Sequence, residues 1–152
     1  MTQQSKLHVS SEPHAVGATE GYVHSYDTGS MTDGPGSRFV VFLAGCPLQC
    51  VFCHNPDARR VCSGTKTSVE EVMSRVQPFA RYMKTARGGV TLSGGEPLVQ
   101  QSFSTELLAR CKSLGLHTAV ETSGCVGSHV TERILDATDL FMLDIKSFDD
   151  DT

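Results

Sequence analysis

The sequence lacks the features that place a chain in a membrane or outside a cell. No apolar run approaches the ~20 residues that span a bilayer. The opening stretch, MTQQSKLHVSSEPH, has no apolar segment of the kind found in a secretory leader, and too little arginine for a transit peptide. An excess of positive charge is missing too. The formal net charge of −4 gives no electrostatic reason to expect nucleic acid or an anionic lipid surface as partner. No internal repeat is visible. Hydrophobic residues make up only 39% of the chain, yet 152 residues are enough to bury one real core.

What is present is an ordered alternation of elements. Residues 1–18 are polar and aperiodic and read as a disordered tail. The remainder, 19–152, reads as one domain. Residues 38–44 (RFVVFLA) form a short β-branched and aromatic run, a buried strand. Ser68 and Glu71 make a capping box, followed by Val69, Val72, Met73, Val76, Phe79 and Met83 at helical spacing. Residues 89–93 are a second strand, 104–113 a helix with Gly115 at its C-cap, 116–122 a third strand, 128–137 a helix and 140–145 a fourth strand. This βαβαβαβ order predicts about four parallel strands with crossover helices. Four such strands do not close a barrel: either the sheet stays open, a partner completes it, or the chain is a fragment lacking its C-terminal part.

Each expected strand ends in chemically loaded residues: Cys46 onward, then Ser93 to Glu96, Glu121 to Gly124, and Asp144 to Lys146. Parallel α/β folds bind ligands at the carboxyl ends of strands, so the four clusters should meet at one site. Alone, Gly94-Gly95 is an ordinary turn, and Asp144 and Lys146 are a solvated strand end. Their place beside the cysteine segment is what gives them interest.

That segment, GCPLQCVFCHN at 45–55, puts Cys46, Cys50 and Cys53 into the spacing C-x3-C-x2-C. Three thiolates can hold a cubane iron–sulfur cluster and leave one iron open. A zinc ion could instead recruit His54 or a distant cysteine. No second C-x2-C pair exists to support zinc, and Cys62, Cys111 and Cys125 stand apart as expected free thiols. A disulfide framework suits small secreted chains, and nothing here signals secretion.

The segment resembles the signature of the radical S-adenosylmethionine (SAM) superfamily. With D-G-P-G-S-R-F at 33–39, Gly45-Cys46 and the run Cys53, His54, Asn55, it is similar to the glycyl-radical-enzyme activating family. The likeness runs from about Gly21 to the last strand. It implies a partial (β/α) barrel of the radical SAM type. It also implies reductive cleavage of SAM at a [4Fe-4S] cluster, and a 5′-deoxyadenosyl radical that removes a Cα hydrogen from a glycine. The partner implied is a glycyl radical enzyme of the pyruvate formate-lyase kind, with a flavodoxin or ferredoxin as electron donor. The activase of anaerobic ribonucleotide reductase is the nearest alternative, and a truncated, non-catalytic iron–sulfur or zinc protein the other. An oxygen-sensitive cluster implies a reducing, anaerobic cytoplasm.

Residue by residue, the resemblance implies that Cys46, Cys50 and Cys53 hold three irons and that SAM chelates the fourth. Phe52, Cys53 and His54 would line the adenosine side. Gly94, Gly95 and Glu96 would meet the SAM amino group, mostly through backbone. Asp144, Ile145 and Lys146 would contact the methionine part or the ribose. A possible monovalent-cation site would use Glu121, Thr122, Met142 and Asp144, with Glu121 standing where the family has aspartate. Asp33 would lie near the incoming glycine loop. Replacing any one of the three cysteines by Ala is expected to abolish SAM cleavage; retained cleavage in Cys50→Ala, assayed by 5′-deoxyadenosine release, contradicts the ligand assignment.

Overall fold

The computed structural model describes residues 19–147. The expected tail at 1–18 lies outside them. Six strands form one sheet: β1 (Glu20–Ser30), β2 (Arg38–Leu43), β3 (Thr65–Ser68), β4 (Gly89–Gly94), β5 (His117–Thr122) and β6 (Leu140–Leu143). Their order across the sheet is β3-β1-β2-β4-β5-β6. The run β2-β4-β5-β6 is parallel, as the alternating pattern predicts, and its strands match the expected ones to within two residues. β1 pairs antiparallel with β2 on one side and β3 on the other. Neither of these outer strands carries a clear apolar run, since β1 is EGYVHSYDTGS and β3 is TKTS. β1 forms because β2 offers it a hydrogen-bonding edge, and β3 because β1 in turn offers it one.

The helices are α1 (Val69–Val76), α2 (Ala80–Thr85), α3 (Gln101–Ser113) and α4 (Glu132–Ala137). Ser68 caps α1 as expected: its Oγ accepts from the Glu71 N–H at 3.2 Å, and Glu71 Oε2 accepts from the Ser68 N–H at 2.7 Å. The single helix expected through Met83 is broken. A 3-10 turn at Gln77–Phe79 separates α1 from α2, because Pro78 has no N–H to donate and its ring crowds the preceding turn. The helix expected at 128–137 is shorter as well. Val130 and Thr131 are extended, and the Thr131 N–H and Oγ both donate to Gln101 Oε1, at 2.7 and 2.8 Å. α3 begins three residues before its expected start, and Leu114 is its C-cap, with Gly115 following at φ +70.

One face of the sheet packs on the helices. Phe39, Val41 and Leu43 of β2, Val90 and Leu92 of β4 and Val120 of β5 join Val72 and Val76 of α1 and Phe103, Leu107 and Leu108 of α3 in one core. Alternation along each strand turns Arg38, Thr91, Ser93 and Glu121 to the other face. The loop at 31–37 folds over that face. Thr91 Oγ donates to the Asp33 carbonyl at 2.7 Å, and Gly34 sits against Met142 and Arg38.

Arg38 is completely buried there. Its guanidinium donates to Thr91 Oγ at 2.9 Å and to the carbonyls of Val90 at 2.6 Å and Pro35 at 3.4 Å, and lies 3.1 Å from His117 Nδ1. Burial pulls its pKa down to about 10, which leaves it cationic at neutral pH. The imidazole must therefore accept at Nδ1, in its neutral form. Burial first, and the Arg38 charge second, push the His117 pKa below its ordinary value. An unfolded chain consequently binds this proton more readily than the folded one. Stability is expected to fall as pH drops below about 6.5. Urea midpoints of the wild type and His117→Gln between pH 5 and 7.5 check this; the variant should lose that slope.

Candidate metal centre

The cysteine segment leaves β2 and is fixed at its base by backbone. The Gly45 N–H donates to Ala58 O at 2.7 Å, the Cys46 N–H to Arg59 O at 2.8 Å, and the Glu96 N–H to Gly45 O at 2.8 Å. The turn after β4 is held in the same way, by Gly95 N–H to Leu43 O at 2.8 Å. Glycine is required at both positions of this turn. Gly94 has φ +106, and a Cβ on it would stand 2.5 Å from the backbone of Leu43; on Gly95 it would stand 2.3 Å from the Gly45 carbonyl. Gln100 completes the anchorage: its amide nitrogen donates to Tyr22 O and Ala44 O, both at 2.8 Å.

These turns bring one cleft into being. Cys46, Cys50, Phe52, Cys53 and His54 line it from the loop. Gly94 and Gly95 line it from the end of β4, Glu121 and Thr122 from the end of β5, and Asp144 and Lys146 from just beyond β6. The convergence expected from strand-end chemistry is realised for these residues. Two positions expected in the cleft, Ile145 and Met142, sit elsewhere among the described residues. Ile145 is exposed outside the cleft. Met142 lies against Gly34 on the sheet face. Asp33 turns its carboxylate onto the hydroxyls of Ser30 and Thr32 in its own loop.

Glu96 departs most from a ligand contact. It is 1% exposed. One carboxylate oxygen accepts from Thr122 Oγ at 2.7 Å and the Leu98 N–H at 3.1 Å. The other accepts from the Ser123 N–H at 3.0 Å and Ser123 Oγ at 2.7 Å. Its side chain therefore joins the turn after β4 to the turn after β5 and does not face the cleft.

Glu121, Asp144 and Lys146 at the cleft each have a hydrogen-bond partner. Glu121 accepts from Ser93 Oγ at 2.5 Å. Lys146 donates to Asp144 and lies 5.9 Å from the centre of the Phe52 ring. The Asp144 bond, then the negative charge of Asp144, Cys50 and Cys53, raise the Lys146 pKa against the opposing effect of burial. Burial raises the Cys46 pKa. A metal ion reverses that preference, because its own charge drives the thiol to thiolate. Of the four residues of the possible cation site, Glu121, Thr122 and Asp144 reach the cleft and Met142 does not.

Among the described residues, no three Cys, His, Asp or Glu side chains converge as ligands of one ion. Cys46, Cys50 and Cys53 line the cleft together, and a cubane cluster offers each of three such thiols a separate iron. The donor set fits that group.

Sequence reasoning passed over Arg59, Ser93 and Ser123, all of which line the cleft. Ser93 and Ser123 stand inside strand-end clusters it had marked. Arg59 carried no signal, since Arg59-Arg60 reads as surface charge. Replacing Glu96 by Ala would leave the donors of Thr122, Ser123 and Leu98 unpaired in the interior. A loss of about 3 kcal/mol or more is expected in urea unfolding, together with poorer iron retention after reconstitution.

A family model described as a 4Fe-4S single cluster domain matches residues 32–150. A pyruvate formate-lyase-activating enzyme of Clostridium pasteurianum is 45% identical over 86% of this chain and 55% of its own length. The enzyme of that name from Listeria monocytogenes is 42% identical over 83% of this chain and 53% of its own. The pyruvate formate-lyase 1-activating enzyme of Escherichia coli is 38% identical over 86% and 54%. The chain thus spans about half the length of the curated relatives it matches. Among solved structures, QueE from Escherichia coli superposes with a TM-score of 0.54 over 88% of this chain and 75% of that one. At 17% identity it speaks for the fold alone.

Proposed function

Because the chain belongs to the 4Fe-4S single cluster domain family, of radical SAM type, we propose that it carries the cofactor-binding part of an activase that installs a glycyl radical on pyruvate formate-lyase. The names of the relatives support that partner. The observation that carries the reading is the meeting of Cys46, Cys50 and Cys53 with the ends of three parallel strands in one cleft.

When bound, the cluster and SAM supply one-electron chemistry that ends in removal of a hydrogen atom from carbon. The chain's own residues hold and orient that pair. Cys46, Cys50 and Cys53 serve as thiolate ligands, and the Cys46 proton leaves as the metal arrives. Asp144 and Lys146 offer one charge of each sign to the zwitterionic tail of SAM. The bare Gly94-Gly95 turn lets that tail approach backbone closely. Phe52 and His54 present flat rings to its base. Asp33, on the loop over the sheet face, marks the approach of the partner's glycine. The electron donor is a flavodoxin or ferredoxin, and the compartment an anaerobic cytoplasm. Among the described residues, no helix is long and apolar enough to cross a membrane.

A metal protein without turnover is the competing reading, and it rests on the chain's spanning about half of its relatives. Anaerobic reconstitution with iron and sulfide, followed by EPR of the reduced protein with and without SAM, separates the two. SAM is expected to change the spectrum. Incubation with pyruvate formate-lyase should then give a glycyl radical doublet, and incubation with anaerobic ribonucleotide reductase none. A reduced spectrum indifferent to SAM, or a single protein-ligated zinc on metal analysis, defeats the proposal.

A further inference from the structure

The cysteine segment is gripped by a residue outside the signature. Arg59 ends the short 3-10 turn at Pro56–Arg59. Its backbone carbonyl accepts the Cys46 N–H at 2.8 Å. Its guanidinium reaches across the loop and donates through one terminal nitrogen to the Cys50 carbonyl. A single residue therefore holds the chain at two of the three cysteines, one contact through main chain and one through side chain. The same side chain lines the cleft together with all three cysteines.

Arginine stays protonated in any accessible environment, so the guanidinium keeps its charge. That charge stands at the cleft which the three cysteines line, where a cluster would carry negative charge on its thiolates and sulfides.

We propose that Arg59 is a positioning residue for the cluster: it clasps the cysteine loop through Cys46 and Cys50 and sets a fixed positive charge beside the cluster. The inference rests on the cluster reading above. One-electron reduction makes a cluster more negative, so a fixed cation beside it favours the reduced form. Net charge is among the properties that set cluster potentials. Arg59 should accordingly make the cluster easier to reduce.

The test is the midpoint potential of the reconstituted full chain, followed by EPR in a mediated titration, with iron and sulfide content measured on the same samples. Arg59→Met removes both charge and donor, and its midpoint should move to a more negative value at unchanged iron content. Arg59→Lys keeps the charge and loses the planar fork. Its midpoint should fall between the other two. Fe–S stretching frequencies in resonance Raman should shift in both variants, a change that loosening of the loop alone would not give at full iron occupancy. Should Arg59→Met retain no iron, the Lys variant decides: a midpoint below that of the wild type supports the proposal, and one equal to it overturns it. A Met variant with wild-type midpoint and iron content also overturns it. A wild-type chain that assembles no cubane condemns the cluster reading itself, which is a separate failure.

Discussion

The Glu96 carboxylate is the joint on which the geometry of this molecule depends. It lies almost wholly out of water between the turn after β4 and the turn after β5. Four donors, from Leu98, Thr122 and Ser123, converge on its two oxygens. An ionised group held this way stabilises a structure only while every donor stays in place. The turn after β4 is therefore locked to the turn after β5. Since Glu96 also donates its N–H to Gly45, the base of the cysteine segment is locked to the same point. Three chain segments far apart in sequence share one anchor, and the cleft is the space between them.

The two ends of the parallel sheet divide the work. At the amino ends, Arg38, Thr91 and His117 form a closed set of contacts beneath the loop at 31–37. Nearby, Asp139 accepts from the Thr118 N–H and pairs with Lys112, whose bond holds its pKa down at about 2. These groups satisfy one another. At the carboxyl ends, the groups are left with capacity: free thiols at Cys46, Cys50 and Cys53, an exposed Phe52 ring, and the Asp144–Lys146 pair facing an open cleft. Satisfied polar groups specify the fold, and the unsatisfied ones are where a ligand gains its binding energy.

Much of this was legible from the chain alone, for definite reasons. Three of the four parallel strands, β2, β4 and β5, are buried along almost their whole length, and their concentrated apolar runs stand out from their surroundings. β6 stands out by its apolar run alone, with Phe141 and Leu143 exposed. The C-x3-C-x2-C spacing and the strand-end glycines and carboxylates mark the cleft. β1 was illegible because its pattern is polar and broken by two register shifts, so the neighbour it pairs with decides its conformation. The joining role of the Glu96 side chain was illegible for a related reason. Sequence position puts it at a strand end, beside the ligand, but whether a carboxylate turns outward or inward depends on where its donors are, and those of Thr122 and Ser123 come from another strand. Arg59 was invisible because a basic pair in a loop has no periodicity to betray burial.

The same reasoning explains why the metal site is built on glycine and backbone as much as on cysteine. A thiolate ligand needs its Cα held to a fraction of an ångström, and a long surface loop cannot do that by itself. Here the loop is pinned at Gly45 and Cys46 by carbonyls of residues 58 and 59, at Gly45 again by Glu96, and at Cys50 by the Arg59 side chain. The turn at Gly94-Gly95 packs so closely on Leu43 and Gly45 that no side chain is tolerated there. The backbone at Cys46 and Cys50 is thus held by contacts of the fold itself, which meet the cost of ordering the loop.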